Sequence, residues 1–94
     1  MIAALAPGES CILNPLESED ARSARNVYNA FGAQITEEPE MWRIVGTNGR
    51  PQAPDNIVDT GNSGTTMRMA LGSAALIPKG LTVLTGDDQV RRRP

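Results

Sequence analysis

Ninety-four residues suffice for one small domain, and 39% apolar with 21% charged residues is the balance of a globular chain. A formal net charge of −2 argues against a general nucleic-acid binder, whose affinity comes from neutralising phosphates with Lys and Arg. Tyr28, Phe31 and Trp42 are the only aromatics, too few for a single-strand stacking platform, and one cysteine with no histidine makes neither a disulfide nor a zinc site.

The opening Met1-Ile2-Ala3-Ala4-Leu5-Ala6 reads as the last turns of a helix stopped by Pro7-Gly8. It is too short for a signal peptide and lacks a basic leader. No apolar run reaches membrane-spanning length, so the expectation is a reducing, cytoplasmic protein with no membrane partner. A helix without an N-cap at one end and the charged Arg91-Arg92-Arg93-Pro94 at the other suggest that both ends are cuts.

Ser10-Cys11-Ile12-Leu13 is an apolar run fit for a buried strand, which makes Cys11 a small buried residue rather than a nucleophile. Ser18 is an N-cap, with Glu19 and Asp20 in the first turn where acids suit the helix dipole. Ala21, Ala24, Val27, Tyr28 and Phe31 then form a helical stripe ended by Gly32. Residues 33–36 and 41–45 read as strands joined by Glu37-Glu38-Pro39-Glu40, with Trp42 serving strand packing. A Gly, Pro and Asn-rich loop follows from Gly46 to Pro54.

A second unit opens with the strand Asn56-Ile57-Val58-Asp59 and turns through Gly61-Asn62-Ser63-Gly64 into a helix. Its apolar positions Met67, Ala70, Leu71, Ala74 and Ala75 predict one buried face. Pro78-Lys79-Gly80 breaks the helix, and Leu81-Thr82-Val83-Leu84 is another strand, ending at Gly86-Asp87-Asp88. Ala3-Ala4-Leu5-Ala6-Pro7 is echoed by Ala74-Ala75-Leu76-Ile77-Pro78, and each is followed by a strand and then by acids. Two helix–strand junctions can look alike without kinship. The shared order nonetheless predicts an α/β (α+β) chain of about one and a half βαβαββ repeats of roughly seventy residues. Residues 1–54 would end one unit and 55–94 begin the next.

Two segments have chemical potential. Asp59 to Arg68 places a Gly-flanked turn before a helix whose first N–H groups lack partners, an end that attracts anions. Gly64 permits close approach, Ser63, Thr65 and Thr66 add hydroxyls, and Arg68 adds a cation. An ordinary glycine-bearing helix cap explains the same spacing. The arginines after Leu84-Thr85-Gly86-Asp87 suit anions through their planar forks, although three in a row cannot all face one pocket, and a solvated basic end is the plainer reading. Glu17, Glu19, Asp20, Asp87 and Asp88 read as helix-start residues.

Gly61-Asn62-Ser63-Gly64-Thr65-Thr66-Met67-Arg68 resembles the GN(S/A)GTxxR signature of 3-phosphoshikimate 1-carboxyvinyltransferases. Leu84-Thr85-Gly86-Asp87 through Arg93-Pro94 resembles their LTGDxxxxxRP signature, and Ala3 to Ser10, Asn14-Pro15-Leu16 and Ser18-Glu19-Asp20 follow the family's early region. The resemblance covers essentially the whole chain. It implies a section of the inside-out α/β barrel built from βαβαββ units, without metal or organic cofactor. It also implies transfer of the enolpyruvyl group of phosphoenolpyruvate to the 5-hydroxyl of shikimate 3-phosphate. On that template the Gly64 N–H and the Arg93 side chain bind phosphoenolpyruvate, while Asn62, Ser63, Thr65 and Arg68 support them. No residue of the chain is assigned a catalytic role.

The resemblance places the family's lysine-serine-arginine motif, its proton-transfer acids and its other phosphate-binding cations outside these residues, so the chain alone is expected to be inactive. The related transferase acting on UDP-N-acetylglucosamine typically carries a cysteine near the second signature, and none follows Cys11. A cyclase acting on RNA termini would share the repeat but needs a histidine. A non-catalytic anion-binding module is the alternative from another class.

Overall fold

The apolar opening folds as a single helical turn, α1 (Ile2–Leu5), in a computed structural model that describes every residue from Met1 to Pro94. So short a helix leaves its last carbonyls without intrahelical partners, and a distant loop supplies donors. The N–H groups of Thr47, Asn48 and Gly49 donate to the carbonyls of Ala4, Ala6 and Leu5 at 2.9, 3.2 and 2.7 Å. Gly46 permits this approach, because a Cβ there would lie 2.1 Å from the Ala6 oxygen and 2.6 Å from that of Ala3.

Three strands, β1 (Glu9–Leu13), β2 (Gln34–Glu38) and β3 (Met41–Val45), form an antiparallel sheet in the order β1-β3-β2. Ile44 on the central strand is buried and pairs with Ser10 and Ile35. Its neighbour Arg43 lies on the opposite face, between Cys11 and Thr36, and forms ion pairs with Glu9 and Glu38. Cys11 departs from the sequence reading, because it is exposed. β1 is an edge strand, and its pleat turns Cys11 to the same face as Arg43, away from the core side. The hairpin is also tighter than expected: β2 runs on to Glu38 and leaves only Pro39-Glu40 as the loop, with Glu40 at φ 60°.

Between β1 and β2 lies α2 (Glu19–Ala30), capped as its sequence predicts by Ser18, which accepts the Ala21 N–H at 3.1 Å. It buries Val27 and Tyr28, and Phe31 follows at the C-cap. These join Ala4, Ala33, Ile44, Val58 and Ala70 in one core, where Tyr28 and Phe31 meet edge to face at 5.8 Å. Each large apolar side chain so buried contributes on the order of 1.5–3 kcal/mol.

The second unit is β4 (Val58–Asp59), α3 (Gly64–Ala74) and β5 (Leu84–Thr85), with the two strands parallel and α3 as the crossover. Both strands are shorter than the sequence suggests, because each has one neighbour and they run side by side only briefly. A last turn, α4 (Asp88–Arg91), follows. The order α1-β1-α2 thus recurs as α3-β5-α4. No helix is long and apolar enough to cross a membrane.

The buried face of α3 is rotated from the apolar stripe. Ser63 at the cap and Thr66, Ala70 and Ser73 are buried, Met67 and Ala74 are half-buried, and Leu71 and Ala75 are exposed. Paired hydroxyls explain the rotation. Ser73 Oγ donates to the Met69 carbonyl at 3.0 Å and so accepts from the Tyr28 hydroxyl at 2.8 Å, which joins α3 to α2 across the core.

Candidate anion-binding site

Asp59, at the end of β4, accepts the Gly61 N–H through its carboxylate at 2.8 Å, which shapes the turn into α3. Ser63 caps the helix: its Oγ accepts the Thr66 N–H at 3.1 Å and bonds the Thr66 hydroxyl at 2.8 Å. The N–H groups of Gly64 and Thr65 donate to nothing within the chain. Two oriented donors are thereby left free at the positive end of an eleven-residue helix.

Arg93 reaches this end from the other strand. Thr60 N–H donates to the Thr85 carbonyl at 2.8 Å, extending the β4–β5 ladder and setting the two following turns side by side. Asp87 then caps α4 by accepting the Val90 N–H at 2.9 Å, and the Arg93 N–H returns to the Val90 carbonyl at 3.2 Å. The Arg93 guanidinium packs so closely on Gly64 that a Cβ there would lie 2.6 Å from Arg93 Nη1 and 3.2 Å from Arg68 Nη1. Arg68 makes only long contacts, to the Gly64 and Pro94 carbonyls at 3.4 and 3.5 Å. The ion pairs of the chain engage Arg25, Arg43 and Arg91, and give Arg68 and Arg93 no carboxylate.

Gly64, Arg68 and Arg93 therefore converge, and with Met67, Leu71, Val90 and Pro94 they line a cleft of about 220 Å³. Thr65 is exposed at the helix start beside them. Asn62 lies outside the cleft lining, and its Nδ2 donates to Asp87 Oδ2 at 2.5 Å. On its far side Asn62 borders a second, polar cleft of about 440 Å³ with Glu19, Arg22, Ser23 and Asp59. Sequence reasoning missed the Asn62–Asp87 link and the buried Thr60, whose carbonyl accepts the Ser23 hydroxyl at 2.7 Å. The Val90 N–H, and secondarily Asn62, hold the Asp87 carboxyl below its ordinary range.

Comparison with known proteins identifies the family. The sequence model of the family described as EPSP synthase (3-phosphoshikimate 1-carboxyvinyltransferase) matches residues 1–94. A 3-phosphoshikimate 1-carboxyvinyltransferase of Methanococcus vannielii is 47% identical over 92 residues, covering 98% of this chain and 21% of the relative. That of Ruminiclostridium cellulolyticum is 48% identical over 92 residues, covering 98% and 22%. The chain thus spans about a fifth of the length of these relatives, 21% and 22% respectively. The solved EPSP synthase from Acinetobacter baumannii superposes with a TM-score of 0.88 at 31% identity, covering 98% of this chain and 21% of that one. With the family model matched from end to end and the fold shared with a solved member, the chain belongs to the EPSP synthase family.

Proposed function

We propose that the chain is a section of a transferase that moves the carboxyvinyl group of phosphoenolpyruvate to the 5-hydroxyl of shikimate 3-phosphate, releasing phosphate. Gly64 and Arg93 bind phosphoenolpyruvate, and Asn62, Ser63, Thr65 and Arg68 shape their surroundings. Residues 1–54 complete one βαβαββ unit and 55–94 open the next. The setting is the cytoplasm, in keeping with a single unpaired cysteine.

One observation carries this reading. Two arginines that form no ion pair converge on the positive end of α3, where two N–H donors are free. Like-signed charge gathered in one place is costly until an anion fills it, and a phosphate or carboxylate does so. Charge-assisted contacts are worth roughly 1.5–3 kcal/mol each. In a family-length transferase carrying this segment, Arg93→Ala should therefore raise the KM for phosphoenolpyruvate about ten- to a hundredfold, with the KM for shikimate 3-phosphate little changed. Steady-state kinetics checks this, and an unchanged KM for phosphoenolpyruvate refutes the assignment.

A further inference from the structure

Asp87 holds together two turns that come from different parts of the chain. Its Oδ1 accepts the Val90 N–H at 2.9 Å and caps α4. Its Oδ2 accepts Asn62 Nδ2 at 2.5 Å, and its own N–H donates to the Gly61 carbonyl at 2.9 Å. With the Arg91 N–H that its carbonyl accepts at 2.9 Å, one residue therefore makes four hydrogen bonds, two of them to the turn that opens α3. The space around it is already filled: a Cβ on neighbouring Gly86 would lie 2.7 Å from Val90 Cγ1 and 3.1 Å from the Gly61 carbonyl.

A chain of bonds runs from this clamp to the cleft. Gly61 and Asn62 fix Asp87, Asp87 fixes the first turn of α4, and the Val90 carbonyl at its end receives the Arg93 N–H at 3.2 Å. Val90 itself is buried and lines the same cleft as Gly64 and Arg93. Arg93 has no ion pair of its own to fix it, so the clamp sets where its backbone starts. We infer that Asp87, through Asn62 and α4, is a positioning residue that sets the distance between the free N–H groups of α3 and the Arg93 guanidinium. It touches no substrate and acts through Arg93. The inference rests on the phosphoenolpyruvate reading of the cleft.

The test uses a family-length transferase carrying this segment, with kinetics and thermal melting measured on the same preparations. Misplacing a binding group by about 1 Å can cost up to about a hundredfold. Asp87→Ala and Asn62→Ala should each raise the KM for phosphoenolpyruvate roughly tenfold or more, with the KM for shikimate 3-phosphate near that of the parent. Combined with Arg93→Ala, neither should add its full effect, because each acts through the same guanidinium. Should Asp87→Ala fold poorly, Asn62→Asp supplies the second arm. It sets two carboxylates together and should raise the same KM, and adding Asp87→Asn, which exchanges amide and carboxylate, should restore it. Raised KM with Arg93→Ala but an unchanged KM in the Asp87 and Asn62 variants overturns the clamp alone. Full additivity with Arg93→Ala, or a lower melting temperature without a KM change, overturns it too. An unchanged KM in all of them, Arg93→Ala included, overturns the anion reading beneath it.

Discussion

At Gly64 the missing side chain leaves room for a guanidinium, and at Gly46 it leaves room for two carbonyl oxygens. The first neighbour is the flexible end of a side chain, whereas the second is backbone that cannot swing aside. Asp87 offers a residue-scale prediction through its charge. The Val90 N–H and then Asn62 stabilise its carboxylate, with a further attraction from Arg93, so its pKa is lowered from the ordinary 3.8. A carboxyl lowered on folding lends stability that is complete above the ordinary value and is lost as pH falls through the folded value. Urea denaturation should therefore show the parent losing its advantage over Asp87→Asn as the pH drops below 3.8, and keeping it at neutral pH. Equal gaps at both pH values would contradict the assignment. The sequence marks Asp87 as a helix-start acid, which it is. Its second bond, to Asn62, exists only because parallel pairing brings two turns together, and no local spacing signals that.

Among the elements, α2 is the most legible, since cap, first-turn acids, apolar spacing and Gly32 all agree on the same twelve residues. The face of α3 is less so. Hydrophobic periodicity counts Thr66 and Ser73 as polar and turns them to solvent, yet both are buried with their hydroxyls paired. Leu71, by contrast, fits the stripe and is exposed. The strand of Cys11 misleads for a related reason, because an apolar run does not reveal that its strand lies at an edge. The α2–α3 junction should respond to the loss of one hydroxyl. Tyr28→Phe leaves the Ser73 oxygen without its donor and should cost about 1 kcal/mol. Ser73→Ala should cost a similar amount, and the double variant less than the two together. Strictly additive losses in denaturant melts would mean that the bond contributes nothing.

For the molecule as a whole, the two turns that carry Gly64 and Arg93 owe their proximity to one short parallel ladder, which the sequence suggests only through its echo of helix, strand and acid. The motif resemblance named both residues, while composition and spacing favoured an ordinary helix cap and a solvated basic end. The 94-residue chain taken alone should show no shikimate 3-phosphate-dependent release of phosphate from phosphoenolpyruvate. The acid nearest Arg93 in sequence, Asp88, is paired with Arg91, and Asp87 is committed to its cap, which leaves neither for proton transfer. Turnover by the purified chain would refute this. The loop that covers α1 has a different consequence, one of timing. The Ala4 carbonyl depends on the Thr47 N–H and that of Leu5 on the Gly49 N–H, so these contacts of α1 form only once chain more than forty residues away has returned to it. Closing a loop of that length is entropically slow. In hydrogen exchange the amides of Thr47 and Gly49 should therefore become exposed together with the helical turn they cover.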